Sequence, residues 1–255
     1  MVLGEKSAMT ESEQSRPQGS TGGVFERLES VALRVPFTLS TLALLALAGW
    51  LTNTAAGEQL GERAIARLGF SPADTGSFDV LSAMASALVT NGPLAFWLAL
   101  AAVAILVGFT EWRFGSVRVA IAFWGSHLAT LALSWVLLAP LHLLGDTTGS
   151  MLFLARDVGP SAGYMGCVGY LVSALPGKVR LVALASGVGA LVTLLVVSLG
   201  GVASDPTGVS AALSHLLALP VGFILGLVTH RRGGLGSEGG RTPGRGTPSE
   251  DSRPN

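Results

Sequence analysis

The feature that most constrains this chain is a series of long apolar segments that carry no charge. Hydrophobic residues make up 49% of its 255 residues, and charged residues only 13%. A backbone inside a bilayer must satisfy its own hydrogen bonds, which apolar helices of about 20 residues achieve. We therefore predict an all-α, polytopic membrane protein rather than a soluble domain.

Charge, proline or glycine bounds six such segments. The fourth is short for a full crossing, so we expect it to begin below the membrane surface, after irregular backbone that the protein shields. Ser161 would then lie at a buried helix start. The predicted spans are 35–52, 94–110, 117–138, 161–175, 181–199 and 210–229.

Polar sequence flanks the predicted membrane domain, residues 24–232. We expect the tails, 1–23 and 233–255, to be disordered. Residues 1–23 lack the apolar core of a signal peptide, so the first span is expected to direct insertion. A formal net charge of zero gives no indication of nucleic-acid binding. The single cysteine, Cys167, excludes an intramolecular disulfide.

The basic residues predict an orientation. With six spans, four basic clusters fall on one side, and the opposite side keeps only Arg63, Arg67 and Arg156. The positive-inside rule then places both termini in the cytoplasm, in what we expect to be a bacterial plasma membrane. The connection 53–93 lies outside, with a short interfacial helix expected at 61–68. The four clusters are Arg27 with Arg34, Arg113 with Arg118, Lys178 with Arg180, and Arg231 with Arg232.

Ser161 and His215 are polar residues within segments predicted to lie in the membrane, where such side chains are costly and usually functional. A serine becomes a nucleophile when a neighbouring neutral histidine accepts its proton. His215 shares a helix face with small residues at 218, 222 and 226, and a second small-residue stripe runs through 162, 166, 169 and 173. Such faces allow close helix packing, so we expect these helices to touch and to bring Ser161 near His215. A serine at a helix start also lies near backbone N–H groups that can bind an oxyanion.

Three short motifs follow one another along the chain. They are the run from Glu111 to Ser116 (EWRFGS), the run from Gly159 to Ala162 (GPSA), and His215 with its stripe. They resemble the E-x-R-x-G-S turn, the G-x-S-G nucleophile motif and the last core helix of the rhomboid intramembrane serine proteases. The resemblance covers residues 30–230. It implies a six-helix core, transmembrane protein substrates, a catalytic dyad of Ser161 and His215 without a third acidic member, and no metal or organic cofactor.

The chain also departs from that family. Active rhomboids carry a histidine and an asparagine in the second span that stabilise the oxyanion, and an ungapped count from Glu111 places Ala95 and Ala99 there. Asn91 supplies an asparagine only if this span is shifted by two turns. Loss of one such donor costs about 100 to 1,000-fold in rate.

Two further departures lie in the fourth span. Ala162 replaces the usual glycine after the serine, and Met165 stands where an aromatic ring often packs on the histidine. We expect the neighbouring Tyr164 to point elsewhere on the helix.

Several alternatives remain open. Ser161 would instead cap the fourth helix, and His215 would be a structural histidine bonded across helices. Gly159 and Asn91 are candidates for oxyanion or loop support, and Asp157 is expected to orient the loop. The alternative function is a catalytically inactive rhomboid-like protein that binds transmembrane clients. A small-solute transporter is disfavoured because the spans lack buried charges.

Overall fold

The computed structural model describes residues 33–77 and 80–235, and their helices all lie within the unit Arg34–Asn255. These residues form an all-α structure in which no β-strand occurs. Short 3-10 helices lie at Thr54–Ala56 and Pro72–Ser77. The α-helices are α1 Pro36–Leu51, α2 Glu62–Leu68, α3 Val80–Ser86, α4 Pro93–Phe114, α5 Ser116–Leu143, α6 Thr147–Leu154, α7 Ser161–Ser173, α8 Gly177–Leu199 and α9 Pro206–Leu235.

Each of the six predicted apolar segments is helical. In the described part of the chain, α4, α5, α8 and the stretch Pro206–His230 of α9 are long and apolar enough to cross a membrane. Helix α1 is a shorter apolar helix of 16 residues, and α7 has 13. The protein is therefore an all-α, membrane-embedded protein with four helices of spanning length, and a count of six crossings stays a prediction.

The predicted ends of the chain differ from the structure at one point. Helix α9 continues to Leu235, three residues into the tail predicted at 233–255. The predicted tail 1–23 and the remainder of the second tail, 236–255, lie outside the described residues. The helix expected at 61–68 is present as α2.

Helix α8 is the least buried of the four helices of spanning length. It buries none of its residues in the protein, although its mean hydropathy over the spanning window is 2.3. An exposed apolar face of this length in water would cost several kcal/mol, at about 25 cal/mol per Å². A helix with so much exposed apolar surface is stable only where lipid covers that surface.

The core of the bundle lies between α1, α4, α5 and α7. Helix α4 contains a π-helical segment, Val103–Val107, in which both terminal valines are fully buried. A π segment adds a residue to the turn and changes which side chains face the neighbours. The buried residues of this core are Leu45, Val103, Val107, Val119, Ala122, Phe123, Cys167 and Tyr170.

Glu111 joins the start of α1 to the end of α4. Its two carboxylate oxygens accept hydrogen bonds from the backbone N–H groups of Phe37 at 2.8 Å and Thr38 at 2.7 Å. These N–H groups lie in the first turn of α1, where the helix itself offers no acceptor and Val35 at the N-cap has no side-chain bond. The carboxylate also complements the positive end of the helix dipole. Gly115, which directly follows the last residue of α4, adopts a φ of +85° that favours glycine.

Helices α7 and α9 pack through their small residues, as predicted. A Cβ atom built on Gly222 would overlap the backbone of Gly166, and one on Gly169 would overlap the carbonyl of Leu219. One on Gly226 would overlap the side chain of Ser173. The two backbones thus approach more closely than any larger side chain allows.

Candidate functional site

A cavity of about 350 Å³ opens where α4, α7 and α9 begin. It is lined by the first turns of all three helices, together with the loop 157–160. Each helix start carries a partial positive charge, and the lining also contains two carboxyl groups, Asp157 and Asp205, the second of which accepts the N–H of Gly208 at the start of α9. Ser161, His215, Asn91 and Gly159 all line this one cavity.

Ser161 is the first residue of α7. It follows Gly159, whose φ of +130° turns the chain, and Pro160, the N-cap residue, which makes no side-chain capping hydrogen bond. No described side chain caps this end, so the alternative that Ser161 is a helix cap is wrong. The physical reason is its position: a capping hydroxyl belongs to the residue before the first helical residue, and here that residue is Pro160. The side chain of Ser161 is partly exposed to the cavity.

His215 lies in the third turn of α9 with its ring in the same cavity. Its Nε2 atom is buried and has no hydrogen-bond partner among the described residues. His215 therefore makes no hydrogen bond through Nε2 to another helix in the described part of the chain. No hydrogen bond joins Nε2 to Ser161 in this unliganded structure, although both residues line the same cavity.

Tyr164 contradicts the expectation that it points elsewhere on the helix. Its ring lines the cavity, and the ring centroids of Tyr164 and His215 are 6.3 Å apart at an interplanar angle of 43°. The reason is helical spacing, because residues three apart share a face and Tyr164 lies three positions after Ser161. This aromatic ring, rather than a residue at position 165, accompanies the histidine.

Asp157 is tied to the helix turn that carries His215. The hydroxyl of Ser214 donates a hydrogen bond of 2.8 Å to the Asp157 carboxylate, which also accepts the backbone N–H of Val158. Burial raises the pKa of the Asp157 carboxyl to about 6, while these two hydrogen bonds act in the opposite direction. Asp157 thus orients the loop, as expected, and it does so through α9 as well as through the backbone.

The loop before Ser161 is also held by the connection that follows α1. The Arg156 guanidinium binds both oxygens of Asp74, at 2.8 and 3.1 Å, and the carbonyl of Gly69 at 2.9 Å. Phe70 and Asp157 exchange two backbone hydrogen bonds of 3.1 and 2.9 Å. These contacts fix the approach of the chain to Ser161, and residues about 80 positions apart make them.

His127 is connected to the same loop through the end of α3. Its Nε2 lies 2.8 Å from the carbonyl of Ala83 and 3.3 Å from the hydroxyl of Ser86. The Ser86 carbonyl in turn accepts the N–H of Gly159 at 2.6 Å. The N–H of Gly159 is therefore engaged, so Gly159 serves as loop support rather than as an oxyanion donor in this structure.

The part of the cavity wall formed by α4 carries the two alanines at which oxyanion donors were sought in the sequence. Ala95 and Ala99 both line the cavity, and neither side chain can donate a hydrogen bond. Asn91 and Thr90 line the same space without any shift of α4, and the hydroxyl of Thr90 is buried without a partner among the described residues. The sequence does not single out Thr90, because a threonine just before an Asn-Gly-Pro turn has no local pattern that marks it as a cavity residue.

The fold and the cavity together define an all-α, membrane-embedded protein with a cavity at one end of an apolar helix bundle. Among the described residues, no group of three His, Cys, Asp or Glu side chains is placed to hold a metal ion. Comparison of the sequence with protein-family models and with curated proteins, and of the fold with solved structures, gives no match.

Proposed function

We propose that this protein is an intramembrane serine peptidase of the rhomboid type that cleaves transmembrane protein substrates. The observation that carries the proposal is that Ser161 and His215 line one cavity, and that Nε2 of His215 is buried without a hydrogen-bond partner among the described residues. An unpartnered imidazole nitrogen is free to accept a proton, and catalytic hydrogen bonds are often long in unliganded enzymes.

In this mechanism Ser161 Oγ attacks the scissile carbonyl carbon while His215 Nε2 accepts the hydroxyl proton. The histidine then donates that proton to the departing amine, and water repeats the sequence to release the acyl group. The backbone N–H groups of the first turn of α7, which have no acceptor within the helix, stabilise the oxyanion. Asn91 is the side chain that supplies a further donor at the cavity wall.

A second function is favoured by Ala95 and Ala99. Two apolar side chains at the donor wall lower the rate that the site can reach, because each missing donor costs about 100 to 1,000-fold. In this alternative the protein binds transmembrane clients at the cavity and does not cleave them. The same bundle and the same membrane partners serve both functions.

Reconstitution separates the two. The purified protein in liposomes is mixed with a reporter that carries one transmembrane segment, and both cleavage and binding are measured. We expect slow cleavage that Ser161→Ala and His215→Ala abolish and that Ser210→Ala, a buried serine of α9 outside the cavity lining, retains. Cleavage that survives Ser161→Ala would contradict the peptidase, and binding without cleavage would establish the client-binding alternative.

A further inference from the structure

A second cavity, of about 420 Å³, lies at the opposite end of the bundle. It is formed where α4 meets α5, where α7 ends and α8 begins, and at His230 of α9. Helix α7 runs from one cavity to the other, which places them roughly 18 Å apart at 1.5 Å per residue. The residues that matter here are Arg113, Arg118, Arg180, Ser173, Phe114 and His230.

The lining of this second cavity is strongly basic. It contains three arginines and no carboxylate. Among the side chains that the structure describes, the ion pair present joins Arg156 to Asp74 and lies elsewhere. Glu111, the acidic residue nearest to Arg113 in sequence, is bound to the start of α1. The three guanidinium charges therefore have no anionic partner in the described part of the chain.

Two polar atoms of this cavity are buried and unsatisfied. The Nε of Arg180 and the Nε2 of His230 have no hydrogen-bond partner among the described residues. A buried N–H without an acceptor is costly, more so on a charged group, so native structures usually supply a partner from water or a ligand. The His230 ring is itself fixed, because it packs against Phe114 and Tyr170 with ring centroids 5.3 and 5.1 Å apart.

We propose that this cavity binds a phosphate group. Arginine presents a planar fork of N–H donors that matches phosphate oxygens, and three arginines around one space suit a tetrahedral anion. The cavity lies at the ends of apolar helices of spanning length, which is the depth of lipid headgroups. Basic pockets between membrane helices are typical sites for anionic headgroups. The phosphate comes from an anionic phospholipid or from a free phosphate, and these share the recognition chemistry.

The test uses the full-length protein, purified in a neutral detergent and stripped of lipid. Binding of two probes is measured: phosphatidylglycerol in mixed micelles and inorganic phosphate in solution. We expect a saturable interaction with one of them that Arg180→Gln weakens by at least about tenfold and Arg118→Gln by about fivefold. Lys178→Gln is the matched control, because Lys178 is an exposed cation of the same turn outside the cavity. It should leave the affinity unchanged within about twofold.

The two sources are distinguished by competition. If phosphatidylglycerol binds and inorganic phosphate does not displace it, the ligand is a lipid headgroup; if inorganic phosphate itself binds at the cavity, a soluble phosphate is the ligand. Binding of neither probe overturns the proposal, as does binding that Lys178→Gln reduces as much as Arg180→Gln. If Arg180→Gln fails to fold, Arg118→Gln, at an exposed residue, decides by the same criterion.

Discussion

The hydroxyl of Ser214 donates a 2.8 Å hydrogen bond to the carboxylate of Asp157. This bond connects the loop that delivers Ser161 with the turn of α9 that carries His215. Residues 57 positions apart in sequence thereby hold the two proposed catalytic side chains at one cavity. A carboxylate in this position also makes the stability of the site depend on pH.

The first prediction concerns that dependence. Because burial raises the folded-state pKa of Asp157 from 3.8 to about 6, the folded protein binds more protons than the unfolded chain between these values. The contribution of Asp157 to the free energy of unfolding is therefore fully present below pH 4 and is lost as the pH rises through 6. We expect a loss of about 1–2 kcal/mol, after allowance for screening of a partly exposed group.

Asp157→Asn isolates this contribution, because the amide oxygen still accepts the Ser214 hydroxyl while the charge is removed. The measurement is the free energy of unfolding in detergent between pH 4 and pH 7. The variant should lose less stability than the wild type across this range. Identical pH profiles would show that Asp157 does not carry the effect.

The second prediction concerns the seam between α7 and α9, the contact surface at which Gly166 and Gly169 meet Leu219 and Gly222. Gly222→Ala and Gly169→Ala place a methyl group on the backbone of the facing helix, and we expect each to lower the free energy of unfolding by about 1–3 kcal/mol. Gly189→Ala is the control, since a Cβ atom there meets nothing within 4 Å. That change should be neutral or stabilising, because alanine is the better helix former by roughly 0.8–1 kcal/mol. Equal effects at the three positions would contradict the close approach of the two helices.

Parts of the fold and of the candidate site are predictable from the sequence. The apolar runs predict the helices, and the spacing of small residues at 166, 169, 222 and 226 predicts the seam, because both follow from local periodicity. The contacts that hold the loop before Ser161, such as the ion pair of Arg156 with Asp74, are not predictable from the sequence. They join distant segments, and no local pattern marks them. Tyr164 lies at the cavity rather than elsewhere on the helix, because its i, i+3 relation to Ser161 places the two residues on one face. The rhomboid assignment itself stays a proposal.

The third prediction concerns Glu111. Removing its carboxylate leaves one buried and one partly buried N–H group of α1 unpaired, so Glu111→Ala should cost about 2–4 kcal/mol of unfolding free energy. Glu111→Gln keeps one acceptor oxygen and should cost less. Glu62→Ala, at an exposed position of α2, serves as the control and should change stability by less than about 0.5 kcal/mol. A Glu111→Ala protein as stable as this control would show that the start of α1 does not depend on Glu111.

The fourth prediction concerns the apolar wall of the cavity that Ser161 and His215 line. Ala99→Asn introduces an amide donor at a position of α4 that lines the same cavity as Ser161, and we expect the rate of substrate cleavage to rise by up to about 100-fold. Ala101→Asn adds the same group at an exposed position of α4 outside the cavity and should give no increase. If a folded Ala99→Asn protein gains nothing over Ala101→Asn, the wall does not border the oxyanion.

The most direct test of the central claim is covalent labelling by a fluorophosphonate, with the modified residue located by mass spectrometry. The account predicts an adduct on Ser161 that is absent in Ser161→Ala and forms at least about 100-fold more slowly in His215→Ala, because the histidine acts as the base. Circular dichroism on each variant establishes that it remains folded. An unlabelled Ser161 in the folded wild-type protein, or labelling that is equally fast in His215→Ala, would contradict the dyad.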